Sequence, residues 1–202
     1  YRKINFIRSY DPSPVLNRSQ IERAAAIIRD AKRPLLLAGQ GVAISNAEDA
    51  LLRFVEKASL PVANTLLGLS TIPSDHPLYK GMLGMHGNVG PNFNTNRADV
   101  IIGVGMRFDD RVTGLASGYA PDASIIHIDI DPSEFDKVVA STVAVHADAR
   151  EALEALAEAV GPRSNEEGWL ESFDRCAEIE DREVLGAELR RSGDAPMTMG
   201  EV

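Results

Sequence analysis

Residues 99–114 read DVIIGVGMRFDDRVTG, an unbroken apolar run that closes, within five positions, on Arg107, Asp109, Asp110 and Arg111. From Val100 to Gly105 there is no polar residue. A half-exposed strand alternates apolar and polar side chains, whereas a strand covered on both faces reads as a continuous apolar run, the pattern of a parallel sheet. The charges that follow are therefore either a solvated loop or a site at the end of a core strand. If the backbone stays extended past Gly105, then Arg107, Asp109 and Arg111 lie on one face and Asp110 on the other. Such a face either pairs with itself or holds guanidinium donors ready for a phosphate or an anionic ring.

Working outward, the same pattern recurs. RPLLLAGQGV (33–42), LPVANT (60–65), ASIIHIDIDP (123–132) and STVAVHAD (141–148) read as further strands. Between them the spacing changes to the helical period. Ser19 and Glu22 have capping-box spacing, and Ile21, Ala24, Ala25 and Ile28 follow on one face, predicting a helix over 19–31. Ser45 and Glu48 open a second, with Ala50, Leu51, Phe54, Val55 and Ala58 inward. Leu153, Leu156, Ala157 and Val160 give a third. Residues 66–96, rich in Gly, Pro and Asn, show no period; long irregular segments of this kind are often functional. From 165 to 191 the chain is charged and helix-prone, with Trp169, Leu170 and Phe173 as anchors of a docking helix or a linker. Strand–helix alternation with fully apolar strands predicts an α/β fold, a Rossmann-like parallel sheet with helices on both faces, and ligands beyond the carboxyl ends of its strands.

Composition narrows the function. The chain has 202 residues, 44% hydrophobic and 25% charged, with net charge −9 and no block of clustered Lys or Arg. That argues against nucleic acid and anionic membranes as partners. The single cysteine, Cys176, makes no intrachain disulfide. No apolar run approaches the roughly 18–20 residues of a membrane span. There is no Cys pair, no H-x-x-x-H and no G-x-S-x-G, so no metal site and no catalytic residue is expected of this chain.

The strand ends carry the candidates. Gly39 and Gly41 allow a tight turn, and a helix N-terminus after them favours phosphate. Neither AGQGVAI nor GVGMRF completes G-x-G-x-x-G, so each is also readable as a plain strand-to-helix turn. Asp129 or Asp131 stands where an acid accepts hydrogen bonds from ribose hydroxyls, and both roles hold if Asp131 caps and Asp129 binds. Asp131, before Pro132, Ser133 and Glu134, reads as a helix cap, and Asp148 as a cap or a ligand. His86, flanked by Met85 and Gly87, is a ligand contact or a surface histidine.

In order and spacing, RPLLLAGQGV, LPVANTLLGLS, MLGMHGN, GVGMRFDDRVTG and IIHIDIDPSE resemble the central domain of the acetolactate synthase (acetohydroxyacid synthase) large-subunit family. RFDDRVTG together with LGMHG is the specific part. The resemblance covers about residues 32–160 and implies a six-stranded parallel sheet that binds FAD. It divides the chain into a connector (1–16), a central domain (17–162) and a helical linker (163–202) towards a further domain. By resemblance, the FAD contacts are Gly39, Gly41, Thr65, Leu66, Leu83, Gly84, Met85, His86, Gly87, Gly105, Arg107, Asp109, Arg111 and Val112. Asp129, Ile130, Glu134 and Asp148 serve the adenosine end, and Asp110 lines the substrate channel. Gln40, Asn88 and Ala147 stand where the family usually has glycine, threonine and glycine.

The same resemblance implies an enzyme that joins pyruvate to a second pyruvate or to 2-ketobutyrate in branched-chain amino acid biosynthesis. Thiamine diphosphate and Mg2+ belong to other domains. It also implies a cytoplasmic homo-oligomer, dimer or tetramer, with a regulatory small subunit, and an isolated central domain without activity. Related readings are a sister flavin-containing thiamine enzyme, such as glyoxylate carboligase or pyruvate oxidase, and a non-catalytic nucleotide-binding or scaffold module.

Overall fold

The computed structural model describes residues 14–186. Most of the expected connector and the terminal GDAPMTMGEV lie outside them. Six strands form one all-parallel sheet: β1 (Pro34–Ala38), β2 (Val62–Asn64), β3 (Tyr79–Met82), β4 (Val100–Val104), β5 (Ser124–Asp129) and β6 (Val143–His146). The spatial order is β3-β2-β1-β4-β5-β6. This is the doubly wound order, with the direction of winding reversing between β1 and β4.

The register explains the apolar runs. Val62, Leu36, Ile102, Ile126 and Val143 stand side by side across five strands, and all belong to one buried cluster. Leu35, Ile101 and Ile125 make the corresponding row of a second cluster. Helices α1 (Arg18–Asp30), α3 (Glu48–Ala58) and α6 (Ala149–Val160) cover the first cluster. The other face is covered by α4 (Val89–Thr95) and α7 (Trp169–Glu180). Two short helices, α2 (Gln40–Ile44) and α5 (Asp110–Thr113), follow β1 and β4 directly. Among the described residues no helix is long and apolar enough to cross a membrane.

Several expected boundaries move. Helix α1 starts at Arg18 because Asn17 is its cap, its side chain accepting from Ser19 N at 3.0 Å. Ser45 does not open α3: it ends α2, its Oγ donating to Gly41 O at 2.8 Å, and Ala47 precedes α3 without a side-chain cap. The aperiodic segment 66–96 contains a 3-10 turn (Leu66–Gly68), the edge strand β3 and α4. Strand β3 is only half-buried and pairs with β2 in broken register, so no alternation marks it.

The expected anchors do hold α7 to the sheet. Trp169 and Phe173 are both 2% exposed and meet edge-on, with ring centroids 5.1 Å apart. Trp169 Nε1 donates to Pro34 O at 2.9 Å. The connection leading into α7 is pinned at the amino-terminal edge of the sheet, away from the strand ends that matter below. There Arg163 donates to Ala31 O and Ala58 O, at the carboxyl ends of α1 and α3. Asp99 closes the same edge, its carboxylate accepting from the Lys32 and Arg33 amides at 2.7 and 2.9 Å.

Candidate functional site

At the opposite edge, beyond the carboxyl ends of the strands, lies a cavity of about 950 Å³. That is near the top of the roughly 300–1,000 Å³ usual for small-molecule sites. Each strand-end connection contributes. The turn after β1 supplies Gln40, Gly41, Ile44 and Ser45, and the turn after β2 supplies Thr65, Leu66 and Leu67. Met82, Leu83, Met85 and His86 come from the end of β3 and the arm beyond it. The β4 end supplies Gly105, Met106, Arg107, Asp109, Arg111 and Val112. Ile128, Asp129, Ile130 and Glu134 come from β5 and its 3-10 turn, and Ala147 and Ala149 from the start of α6.

The floor is a backbone interlock at the reversal point of the sheet. Gly41 N donates to Gly105 O at 2.9 Å, and Gly39 N to Val104 O at 2.9 Å. A Cβ on Gly41 would stand 2.5 Å from Gly105 Cα; one on Gly105, whose φ is +57°, would stand 2.5 Å from Gly41 Cα. These glycines let two strand-end turns touch each other. That is a packing reason for them, additional to any approach by a ligand.

The opening motif does not stay extended. Asp109 caps α5, its Oδ1 accepting from Arg111 N at 3.1 Å, and its Oδ2 accepts from Arg107 Nε at 2.9 Å. Asp109 thus orients both arginines: one through its side chain, the other by starting the helix that carries it. Arg107 stays exposed and engages Asp109 through Nε. Arg111 has no carboxylate at ion-pair distance among the described residues; its Nη1 lies 3.9 Å from Met85 Sδ. Two guanidinium groups therefore face the cavity with donors in hand, as a phosphate requires.

On β5 the charge is reversed. The Asp129 side chain is 13% exposed, and burial pushes its carboxyl above the usual range. Beneath it, buried His127 donates through Nε2 to Met106 O at 2.8 Å, and burial pushes this imidazole below its ordinary value. Phe108 and Phe135 enclose the ring edge-on, with centroids at 5.0 and 5.1 Å. His127 is thus a neutral strut holding the backbone just before Arg107. The mouth is apolar: Ile44, Leu66, Leu67, Met85 and Ile130 are each at least half exposed. The combination suits a ligand with an anionic part, a hydroxyl-bearing part and a flat apolar part.

The chain matches the thiamine pyrophosphate enzyme central domain over residues 21–156. It belongs to that family. Among similar proteins are a probable acetolactate synthase large subunit of Methanocaldococcus jannaschii, 44% identical over 164 residues, and the large subunit of Corynebacterium glutamicum, 45% identical over 149. The isozyme 2 large subunit of Escherichia coli is 40% identical over 163 residues. These alignments cover 80%, 74% and 81% of this chain, but only 28%, 24% and 28% of the relatives.

Within this thiamine pyrophosphate enzyme central domain, most residues singled out from sequence line the cavity together. Gly39, Gly84, Gly87, Asp148 and Asp110 do not. Gly39 and Gly87 are held against neighbouring backbone, and Gly84 against the Arg111 carbonyl. Asp148 caps α6, accepting from Arg150 N at 2.9 Å. Asp131 likewise caps its turn through Ser133 N at 2.9 Å, which holds its carboxyl below the usual range. Asp110 is exposed in the first turn of α5, beside the lining but outside it.

Sequence reasoning missed Ile44, Ser45, Leu67, Met106, Ile128 and Ala149 as lining residues, along with Gln40, Met82 and Ala147. Most adjoin a named residue; Ile44 and Ser45 are displaced into the cavity by the unforeseen helix α2. Asn88 accepts from Met82 N at 2.9 Å. Among the described residues no three His, Cys, Asp or Glu side chains are grouped to hold a metal.

Proposed function

We propose that this chain is the FAD-binding central domain of an acetolactate synthase large subunit. The observation that carries the reading is the paired chemistry of one cavity at the reversal point of the sheet: Arg107 and Arg111 on one side, Asp129 and Glu134 on the other. The donor set fits the cofactor. The guanidinium groups and the β1 turn would hold the diphosphate, and Asp129 and Glu134 the adenosine end. Leu66, Leu83, Met85 and His86 would pack the flavin. The cavity runs from beyond β3 to beyond β6. At about 4.8 Å per strand, five strand spacings are on the order of 24 Å, the reach of a dinucleotide rather than a mononucleotide.

The longer protein would join pyruvate to a second pyruvate or to 2-ketobutyrate, using thiamine diphosphate and Mg2+ held outside this chain. FAD brings no net redox change to that reaction; in this reading it is an organising group. The residues lining the cavity would bind and orient it. Asp110, on the outer side of the same motif, would face the substrate channel. The relatives are named large subunits, which supports a smaller partner chain; a homo-oligomeric assembly is part of the same reading.

Titration of the chain with FAD, read by flavin fluorescence, tests the site. Saturable binding is expected, weakened at least about tenfold by Arg107→Ala or Arg111→Ala, since a charge-assisted hydrogen bond contributes roughly 1.5–3 kcal/mol. Unchanged affinity in both variants refutes the assignment. The full-length protein should form acetolactate from pyruvate and this chain alone should not; a full-length protein that makes a different product refutes the activity.

A further inference from the structure

We infer that Asn92 is a positioning residue, the clamp that fixes the cavity arm formed by residues 83–87. It sits on α4, half-buried and outside the cavity lining. Its amide meets one residue's backbone twice: Gly84 N donates to Oδ1 at 2.8 Å, and Nδ2 donates to Gly84 O at 2.9 Å. A side-chain amide here plays the part of a neighbouring strand, offering one donor and one acceptor in a plane. Gly84 needs such a clamp because its φ is +103° and it lies against α5: a Cβ there would stand 2.7 Å from Arg111 O. The next amide, Met85 N, donates to that same carbonyl at 2.8 Å. The arm is thus gripped by α4 on one side and α5 on the other, and the residues it carries into the cavity are Leu83, Met85 and His86.

Helix α4 does not depend on Asn92 for its own seat. Ser172 Oγ donates to Asn94 Oδ1 at 2.9 Å, and Gly90 packs on Phe173, both on the α7 side. The side-chain hydrogen bonds of Asn92 go to Gly84. Removing them loosens the arm at Gly84, leaving it to Leu83 N on Asn64 O and Met85 N on Arg111 O, and leaves the α4–α7 contact in place. Loss of the clamp is therefore a loss of order at residues 83–87.

The flavin part of the test rests on the function proposed above; the exchange part does not. Asn92→Asp keeps the shape but replaces the donor to Gly84 O with an acceptor, and Asn92→Ala removes both bonds without adding charge. Hydrogen exchange by NMR on the ligand-free chain should accelerate about tenfold or more at Gly84 and Met85 in Asn92→Ala, for a clamp of about 1.4 kcal/mol, and less in Asn92→Asp, whose carboxylate still accepts from Gly84 N, while Phe173 and Asn94 keep their protection. The FAD dissociation constant should rise about tenfold. Unchanged exchange at Gly84 and Met85 in both variants overturns the inference, and so does an FAD affinity within about twofold of the unsubstituted chain's. If the unsubstituted chain takes up no FAD, the flavin reading fails, and the exchange rates alone decide the role of Asn92.

Discussion

The interlock between the β1 and β4 turns can be taken apart by three glycine substitutions. Gly105→Ala faces two penalties. Its φ of +57° places an L residue in the left-handed region, at about 1–2 kcal/mol, and its new Cβ would lie 2.5 to 3.0 Å from Gly41 Cα, C and N. Those are backbone atoms anchored to β1, so relief requires moving a strand end, an overpacking cost of about 1–3 kcal/mol. The expected total is about 2–5 kcal/mol. Gly168→Ala isolates the first penalty: φ is +79°, and nothing lies within 4 Å of the added carbon. Gly41→Ala isolates the second, with a helix-propensity gain of up to about 1 kcal/mol set against it. Urea unfolding followed by circular dichroism gives all three values. Gly105→Ala should exceed Gly168→Ala by about 1–3 kcal/mol. Equal losses would mean that the two turns do not press on each other, and the packing account of the cavity floor would be wrong.

Other outcomes follow from the same geometry. His127 has its imidazole pushed below the ordinary 6.5 by burial, so below that pH the unfolded chain binds more protons. Stability should be fully present above pH 6.5 and fall as pH drops towards the folded-state value; a flat urea midpoint between pH 7 and 5 refutes this. Asp129 has the opposite sign: its raised carboxyl means that ionisation costs the ligand-free fold stability as pH rises from 3.8 through the folded-state value. Asp129→Asn should therefore raise the melting temperature at pH 7 while weakening FAD binding, and a lowered melting temperature contradicts the burial argument. Trp169→Phe strands the Pro34 carbonyl that Nε1 now satisfies; calorimetry should show a loss of at least about 1–3 kcal/mol, and a neutral result denies that bond its role.

The sheet was legible because a strand covered on both faces has only one way to be written: VIIGV and PLLLA carry no polar residue to confuse the period. Strand β3 was not, since YKGM is half-exposed at an edge and carries no signal of its own. Helix starts slipped by a residue or more where two capping residues compete: Asn17 preceded Ser19, and α2 consumed Ser45. In the opening motif the grouping of Arg107, Asp109 and Arg111 was anticipated through an extended backbone, yet the chain turns into α5 at Asp109. The three side chains meet at the cavity because one carboxylate both caps the helix and pairs with Arg107, which alternation does not encode. The glycine-to-glycine contact was equally hidden, because it joins residues more than sixty positions apart.

The seat of α7 sets where this chain can be shortened. Trp169 and Phe173 complete the apolar face formed by Leu35, Leu37, Ile101 and Ile125. An expression clone cut at residue 162, just past α6, the last helix that packs on the first face, would look complete by secondary structure. It would also lay that second face open to water, the kind of exposed patch that drives self-association. Any shortened version made for crystallisation, labelling or fusion keeps its solubility only if its boundary falls beyond Phe173.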